Sequence, residues 1–539
     1  MTDTSYDELP YDANIFPQTH PEHLAALATL FGLIPPETYR VLEIGCAEGL
    51  NLLAIAQSLP QAECVGIDLS AKQIHTAQQQ VETLELNNIT FKQCDLQTVD
   101  ENFGKFDYII AHGVYSWVSE ESQTQLLKIC RQHLTPNGLA YISYNTNPHW
   151  HFRTIIRDLM LYRTQSVQNV KSKVAEARNT FNLMQQFFQN QEHFFKPFLQ
   201  QTLEELQAST DNYIAHDYLE PENHPTYFHE FIHHAQQQGL NYVADISFCY
   251  TSLLIYPEEM QNLFNQLSEG DRIAREQYID FFTLQGFRRS ILCHQEQAVA
   301  ASIDKTTLTK LFLSTTLPPM HSPDDMQFQH ALAEAPEGYL PVPENVKVQA
   351  PNGQVVAIED MASKIAFTYL ASIYPQRATF GKVCQTVYEQ LSQDNASIQP
   401  LVLLQSHLQQ ELFNLYCINA IQLHTQPFQF AQTLSQTPTV TSLARYQAQQ
   451  GQQQVINLNC KFIEINELCR LLIPHLNGKN TRQDLIAMFL QQVEQGELTV
   501  HIDEATTSQL SEAEKVQGII EAAIDKSLTY LAHTGLLVA

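Results

Sequence analysis

No run of about 18 apolar residues occurs anywhere in the chain, so no segment is expected to cross a membrane as a helix. There is no Cys-x-x-Cys pair; the 10 cysteines stand singly along 539 residues. A chain of this size needs no disulfide staple, so reduced thiols and a cytoplasmic location are the simple expectation. Positive charge is scarce: 30 Lys and Arg stand against 58 Asp and Glu, a formal net charge of -28. No Lys/Arg cluster is long enough to hold a phosphate backbone, which argues against nucleic acid as the main partner and favours cationic partners, including lysine-containing protein segments. The start, Met1 to Glu8, is acidic and lacks an apolar core, so it is not expected to be a signal peptide. The apolar fraction of 44% is ample for buried cores. At roughly 150 residues per domain, about three domains are expected.

The most informative stretch is Val41-Leu42-Glu43-Ile44-Gly45-Cys46-Ala47-Glu48-Gly49. A short apolar run ends in an acid and breaks into Gly-x-x-x-Gly. Helix-favouring residues follow, Leu50 to Ala56, so the pattern predicts strand, tight loop and helix start. Gly45 and Gly49 allow a ligand close approach to the backbone. A second apolar run, Glu63 to Asp68, ends in an acid about 20 residues on, which suits a βαβ unit whose second strand holds a ribose. The dinucleotide fingerprint G-x-G-x-x-G is not matched.

Further along, a helix is expected from Pro21 to Phe31, with Gly32 stopping it. The segment before it, with Tyr11 and His20, reads equally as a lid or as a surface arm. A lid would leave Tyr11 or His20 beside a ligand. Ala71 to Leu86 reads as an amphipathic helix, Asn88 to Leu96 as a third strand ending in Asp95-Leu96, and Phe106 to Gly113 as a fourth. Helix Glu121–Leu134 and a fifth strand, Leu139 to Asn145, follow. Strictly alternating strands and helices imply a parallel, doubly wound α/β sheet. Its ligand should sit beyond the strand carboxyl ends, where Gly45, Asp68, Asp95 and His112 converge.

From Phe152 to about Ala208 the pattern turns helical, with aromatic pairs Phe187-Phe188 and Phe194-Phe195 that read mostly as core. Leu240 to Ile246 and Phe287 to His294 read as two more strands. The Pro-rich stretch from 300 to 350 (Pro318, Pro319, Pro336, Pro341, Pro343) reads as a connector. Beyond it lies a separate C-terminal domain, opened by the turn Pro351-Asn352-Gly353. There Thr379 and Thr481 each stand as a plausible N-cap before an apolar helical pattern. The domains expected are thus a core, 1–150; a segment 151–298 comprising a helical insertion, 151–220, and core-completing elements; a linker, 299–350; and an α+β domain resembling tandem winged helices, 351–539.

The order acid-x-Gly-x-x-x-Gly with a downstream ribose acid resembles motif I of class I S-adenosylmethionine-dependent methyltransferases, with Ala47 in place of the usual middle glycine. Phe106 to Val118, Tyr141 to Asn147, Arg275 to Phe282 and Phe287-Arg288-Arg289 sharpen the resemblance. They look like a bacterial group in which a class I methyltransferase domain, a Rossmann-like fold, precedes a methyltransferase regulatory domain. Within that group stand rickettsial protein-lysine methyltransferases that act on outer-membrane proteins. The resemblance implies S-adenosyl-L-methionine as cofactor. It implies that Glu43, Gly45 and Gly49 surround its methionine part, that Asp68 binds the ribose, that Asp95 and Leu96 meet the adenine, and that Cys46 and Leu69 also belong to the cofactor site. His112 and Gly113 would lie beside the sulfonium.

Methyl transfer to lysine needs alignment and a neutral amine, which an aromatic, desolvated cleft promotes. Tyr115, Trp117 and Tyr144 are the candidate walls and catalytic residues, with His20, Tyr11 and Tyr218 behind them; each can equally be core packing. No acid and amide cluster suggests a metal. After strand four the chain reads His112-Gly113-Val114-Tyr115, not Asn/Asp-Pro-Pro-Tyr, which disfavours adenine N6 chemistry. The expected activity is protein-lysine N-methylation, by a chain that could pair as a homodimer. The alternatives are a small-molecule or tRNA-base methyltransferase, and a cofactor-binding regulatory protein with little turnover.

Overall fold

The computed structural model describes residue 9 and residues 13–189, 193, 196–315, 340–350, 353, 355–393, 400–427, 434–500 and 511–538. The expectations on Tyr11, Phe194-Phe195, Pro318, Pro319, Pro336 and Pro351-Asn352 fall outside these residues. The chain divides into two compact units, Met1–Ile303 and Asp304–Ala539.

The first unit is built on seven strands: β1 (Arg40–Ile44), β2 (Glu63–Asp68), β3 (Ile89–Gln93), β4 (Phe106–Ala111), β5 (Leu134–Asn145), β6 (Leu240–Asp245) and β7 (Phe287–His294). Their order in the sheet is β3-β2-β1-β4-β5-β7-β6. The pairs from β3 through to β5 are parallel. β7 runs antiparallel to both β5 and β6. The sheet is therefore mixed rather than wholly parallel as the alternating pattern implied. β7 enters between β5 and β6 in the opposite direction, after the helices Glu258–Ser268 and Arg272–Thr283.

All six residues of β4 are buried, as expected of a strand covered on both faces. Leu42, Ile44, Ile109, Ala111, Ile142, Leu126, Phe228 and Phe231 share one core around the sheet. Each large apolar side chain removed from water there contributes roughly 1.5–3 kcal/mol. Ser70 and Ser119 cap the helices Ala71–Leu84 and Glu120–His133, each accepting from a backbone amide three residues on.

Between β5 and β6 stand the helices His149–Thr164, Val170–Gln189 and Lys196–Ala208, then a π-helical turn, Ile214–Tyr218. They have their own core, including Ile156, Met160, Phe181, Leu203 and Tyr218. The ring of Phe187, by contrast, is exposed. The helix Phe228–Gln237 then packs on the sheet through Phe228, Phe231, Ile232 and Ala235.

A buried charge network ties the closing elements together. Arg288 on β7 is 1% exposed and donates to Glu276 at 2.7 Å and to Asp280 at 2.8 Å, both on the helix Arg272–Thr283. Asp245, at the end of β6, lies 3.8 Å from the same guanidinium. The Tyr242 hydroxyl donates to Glu276, and the Phe228 ring lies beneath the guanidinium at 4.2 Å. A charge this deep persists only when paired and hydrogen-bonded in this way.

In the second unit, Phe312–Thr315 is the middle strand of a three-stranded antiparallel sheet with Ala378–Thr379 and Ile421–His424. That strand and Val346–Gln349 lie within the stretch expected to be a connector. Thr379 accepts from the amide of Lys382, and Thr481 forms a capping box with Asp484. Val440, Cys469, Leu485, Phe489, Ile524 and Leu537 belong to a core at the chain's end, beside the hairpin Gln454–Ile456 and Phe462–Glu464. Among the described residues no helix is long and apolar enough to cross a membrane.

Candidate active site

The carboxyl ends of β1 to β5 open into a cavity of about 900 Å³. The loop after β1 forms one wall. Gly45 and Gly49 have positive φ, +70° and +80°. A Cβ at Gly45 would sit 2.6 Å from Val114, and one at Gly49 2.3 Å from the Phe91 ring. Both positions thus require glycine twice over, for conformation and for space. Ala47 adopts φ +48°, a left-handed conformation that a side chain disfavours.

Two acids frame this loop. Asp68 Oδ2 accepts from the Ala47 amide at 2.9 Å, and its Oδ1 accepts from the Ser70 amide at 2.9 Å. Glu43 is 4% exposed. Its Oε1 accepts from Asn51 Nδ2 at 2.7 Å, while Oε2 is buried without a partner. Burial pushes the Glu43 carboxyl up to about 8, with Asn51 opposing and Asp68 adding to the shift. An orphaned, cavity-lining carboxylate oxygen of this kind fits a cationic ligand group.

Asn51 is a residue that sequence reasoning missed. Besides Glu43 it engages Thr19, and its Oδ1 accepts from the Phe16 amide at 2.8 Å. It so fastens the N-terminal arm to the glycine loop. Phe16, also on the cavity wall, stacks on His112 with ring centroids 3.7 Å apart. His112 Nδ1 meets the Tyr141 hydroxyl at 2.8 Å. Burial, reinforced by Arg289, lowers its imidazole to about 3, so the ring is neutral. The Gly113 amide donates to Ser143 Oγ, and the space where its side chain would stand is open. His20 does not reach the cavity; it bonds Ser58 and caps the helix Pro21–Leu30. Ala13, Asn14 and Phe16 of the same segment do line the cavity, so the segment borders it although His20 does not.

The cavity brings together Glu43, Gly45, Cys46, Gly49, Asp68, Leu69, Asp95, Leu96, His112, Gly113 and Trp117. It does not include Tyr115 or Tyr144. Tyr144 is 1% exposed, stacks on Phe231 at 3.9 Å and bonds Ser290. Tyr115 meets the edge of Phe231 and bonds His234. The expectation that these two tyrosines wall the cleft is corrected: both serve the core beneath it. Tyr144 points to the far side of its strand, and the 3-10 turn Tyr115–Trp117 sends Tyr115 inward. Tyr218 is likewise buried in the core of the helical insertion.

In their place the insertion supplies Trp150, Arg153, Tyr213, His216 and Asp217. The chain's two tryptophans, Trp117 and Trp150, meet edge to face at 6.1 Å. Trp150 Nε1 donates to the Gly286 carbonyl, just before β7. The only sequence signal for this wall was its position after the fifth strand, near the expected ligand crevice.

A seven-stranded sheet of this order, with a glycine loop after β1, acids after β2 and β3, and a cavity over the strand ends, defines a class I S-adenosylmethionine-dependent methyltransferase. Comparison with known proteins places the chain within that class. The family described as "Methyltransferase domain" matches residues 41–138, "Predicted methyltransferase regulatory domain" matches 210–294, and "PKMT, C-terminal winged helix domain" matches 436–536. The last covers the second of the two expected winged-helix units. An uncharacterised Rickettsia prowazekii protein is 30% identical over 99% of this chain and 93% of its own. A second one is 38% identical over 43% of this chain and 94% of its own. The structure of PKMT2 from Rickettsia typhi matches with a TM-score of 0.81 at 26% identity, over 98% of this chain and 100% of that one. The same protein in complex with AdoHcy matches with a TM-score of 0.79. The chain belongs to this family of class I methyltransferases with a regulatory domain and a PKMT winged helix.

Proposed function

We propose that the protein transfers a methyl group from S-adenosylmethionine to lysine side chains of protein substrates. The observation that carries this reading is the likeness to Rickettsia typhi PKMT2 along nearly the whole chain, cavity-forming insertion included. The net charge of -28 agrees with a lysine-bearing partner and disfavours RNA.

In this reading Gly45, Cys46 and Gly49 admit the methionine part of the cofactor, and the orphaned Glu43 oxygen receives its ammonium. Asp68, already oriented by two backbone amides, takes the ribose hydroxyls, with Leu69 beside it. Asp95 and Leu96 meet the adenine, and His112 and Gly113 border the sulfonium. The bound cofactor supplies an electrophilic methyl group. Phe16, Trp117 and Trp150 exclude water from the acceptor side and favour a neutral amine.

The test is incubation of the purified protein with methyl-labelled cofactor and a bacterial lysate, followed by separation into protein, RNA and small-molecule fractions. Label is expected in protein. Label confined to RNA or small molecules would favour the other methyltransferases, and no label anywhere a binding protein with little turnover.

A further inference from the structure

We propose that Asp217 is the acceptor-side anchor of the cavity: its carboxylate binds the ammonium of the incoming lysine and takes its proton. This rests on the reading of the protein as a lysine methyltransferase, and it assigns the amine a specific partner.

The strand order separates the two sides of the cavity. Asp68 closes β2 and Asp95 follows β3, on one side of β1. Asp217 comes from the π-helical turn of the insertion between β5 and β6, on the other. It lines the same cavity, together with Trp117, Trp150 and Tyr213. Among the described residues nothing hydrogen-bonds its carboxylate. A half-buried carboxylate without a donor, lining a cavity that aromatic rings also line, is a ready partner for a cationic ligand.

The charged groups around it are otherwise engaged. Arg153 gives Nη2 to Glu205 at 3.0 Å and Nη1 to the Tyr213 hydroxyl at 3.3 Å, and lies over Trp150. Arg157 donates to the carbonyls of Glu220 and Pro221. His216 Nε2 bonds the Leu9 carbonyl, and its Nδ1 lies 3.5 Å from Glu220. Tyr213 and Tyr218 complete the titratable surroundings. Burial pushes the Asp217 carboxyl up to about 7, against Arg153, His216 and Arg157, which lower it. Such a group can accept a proton near neutral pH.

The balance of the reaction is simple. The ammonium gives one proton to Asp217 and becomes an amine with a free electron pair. That pair forms the N–C bond as the C–S bond breaks, its electrons staying on sulfur. Asp217 then releases the proton to solvent.

The experiment is calorimetric titration of the full-length protein, saturated with S-adenosylhomocysteine, with n-butylammonium, n-butanol and n-butyrate. Binding of butylammonium alone is expected, weakening as pH falls below about 7 and the carboxylate is protonated. Asp217→Asn should lose about 10- to 100-fold in that affinity, while Asp217→Glu recovers part of it. Unchanged affinity for S-adenosylhomocysteine and an unchanged melting temperature show that the variants are folded. Equal butylammonium binding by Asp217→Asn would overturn the proposal, as would preferential binding of butyrate, which would assign the subsite to Arg153. Butylammonium binding without methylation of any protein would leave this anchor standing and sink the lysine-methyltransferase reading. Protein methylation by Asp217→Asn with an unaltered KM and pH profile would do the reverse.

Discussion

The carboxylate of Asp68 and the amide of Ala47 are joined by a 2.9 Å hydrogen bond, which holds the end of β2 against the glycine loop. One side chain thus orders the loop while keeping lone pairs for a ligand. Asp68→Ala should weaken binding of S-adenosylhomocysteine about 10- to 100-fold by calorimetry. Ala47→Gly should relieve the left-handed strain and stabilise the fold by about 0.5–1 kcal/mol in denaturant titration. Normal affinity in Asp68→Ala would defeat the ribose assignment.

Glu43 is expected to make cofactor binding pH-dependent. With its carboxyl held up at about 8 in the free protein, it is mostly protonated at pH 7. Pairing with a cationic ligand group requires ionisation, so binding near pH 7 should release a proton. Calorimetry in buffers of different ionisation enthalpy reads this directly, and affinity should rise with pH until about 8. The raised carboxyl also makes the ligand-free fold lose stability as pH rises from its ordinary value of 4.5 through about 8. Glu43→Gln should abolish both effects.

Trp117 and Tyr144 should separate wall from core. Trp117→Ala should lower methyl transfer while leaving cofactor affinity nearly intact. Tyr144→Phe loses only the bond to Ser290, so it should cost about 1 kcal/mol of stability and leave turnover nearly unchanged. A collapse of turnover in folded Tyr144→Phe would return that hydroxyl to the chemistry.

These two residues also show what could be read without coordinates. The glycine loop and the acids closing β2 and β3 were legible because each is local: an apolar run, a break and an acid at a strand end. Tyr144 was misread because only the strand's parity, seen against Phe231, tells which side its ring takes. Trp150, Arg153, Tyr213 and Asp217 were missed for a different reason. They lie on a helix and a turn whose pattern reads as packing, and only the fold of the insertion turns them toward the cavity. The antiparallel β7 was hidden similarly, since direction is set by partners and not by the strand's own residues.

Arg288 is the residue whose loss should most damage the fold. Arg288→Ala would take the shared cation from buried Asp245 and Asp280 and leave Glu276 only Arg272 at 3.9 Å, at a cost of about 3–5 kcal/mol in chemical denaturation. Arg288→Lys should recover only part, because one ammonium cannot reproduce the forked contacts to two carboxylates. A loss below about 1 kcal/mol would mean that the network does not hold β7 to the helix Arg272–Thr283.

The cavity over the strand ends is proposed to deliver a methyl group to a lysine nitrogen. The most direct measurement is acid hydrolysis of the protein fraction after reaction with methyl-labelled cofactor, followed by chromatography of the amino acids. Label is expected to elute as N-methylated lysine, and to fall sharply in Asp68→Ala at sub-saturating cofactor. Label on arginine, or as base-labile methyl ester with none on lysine, would contradict it.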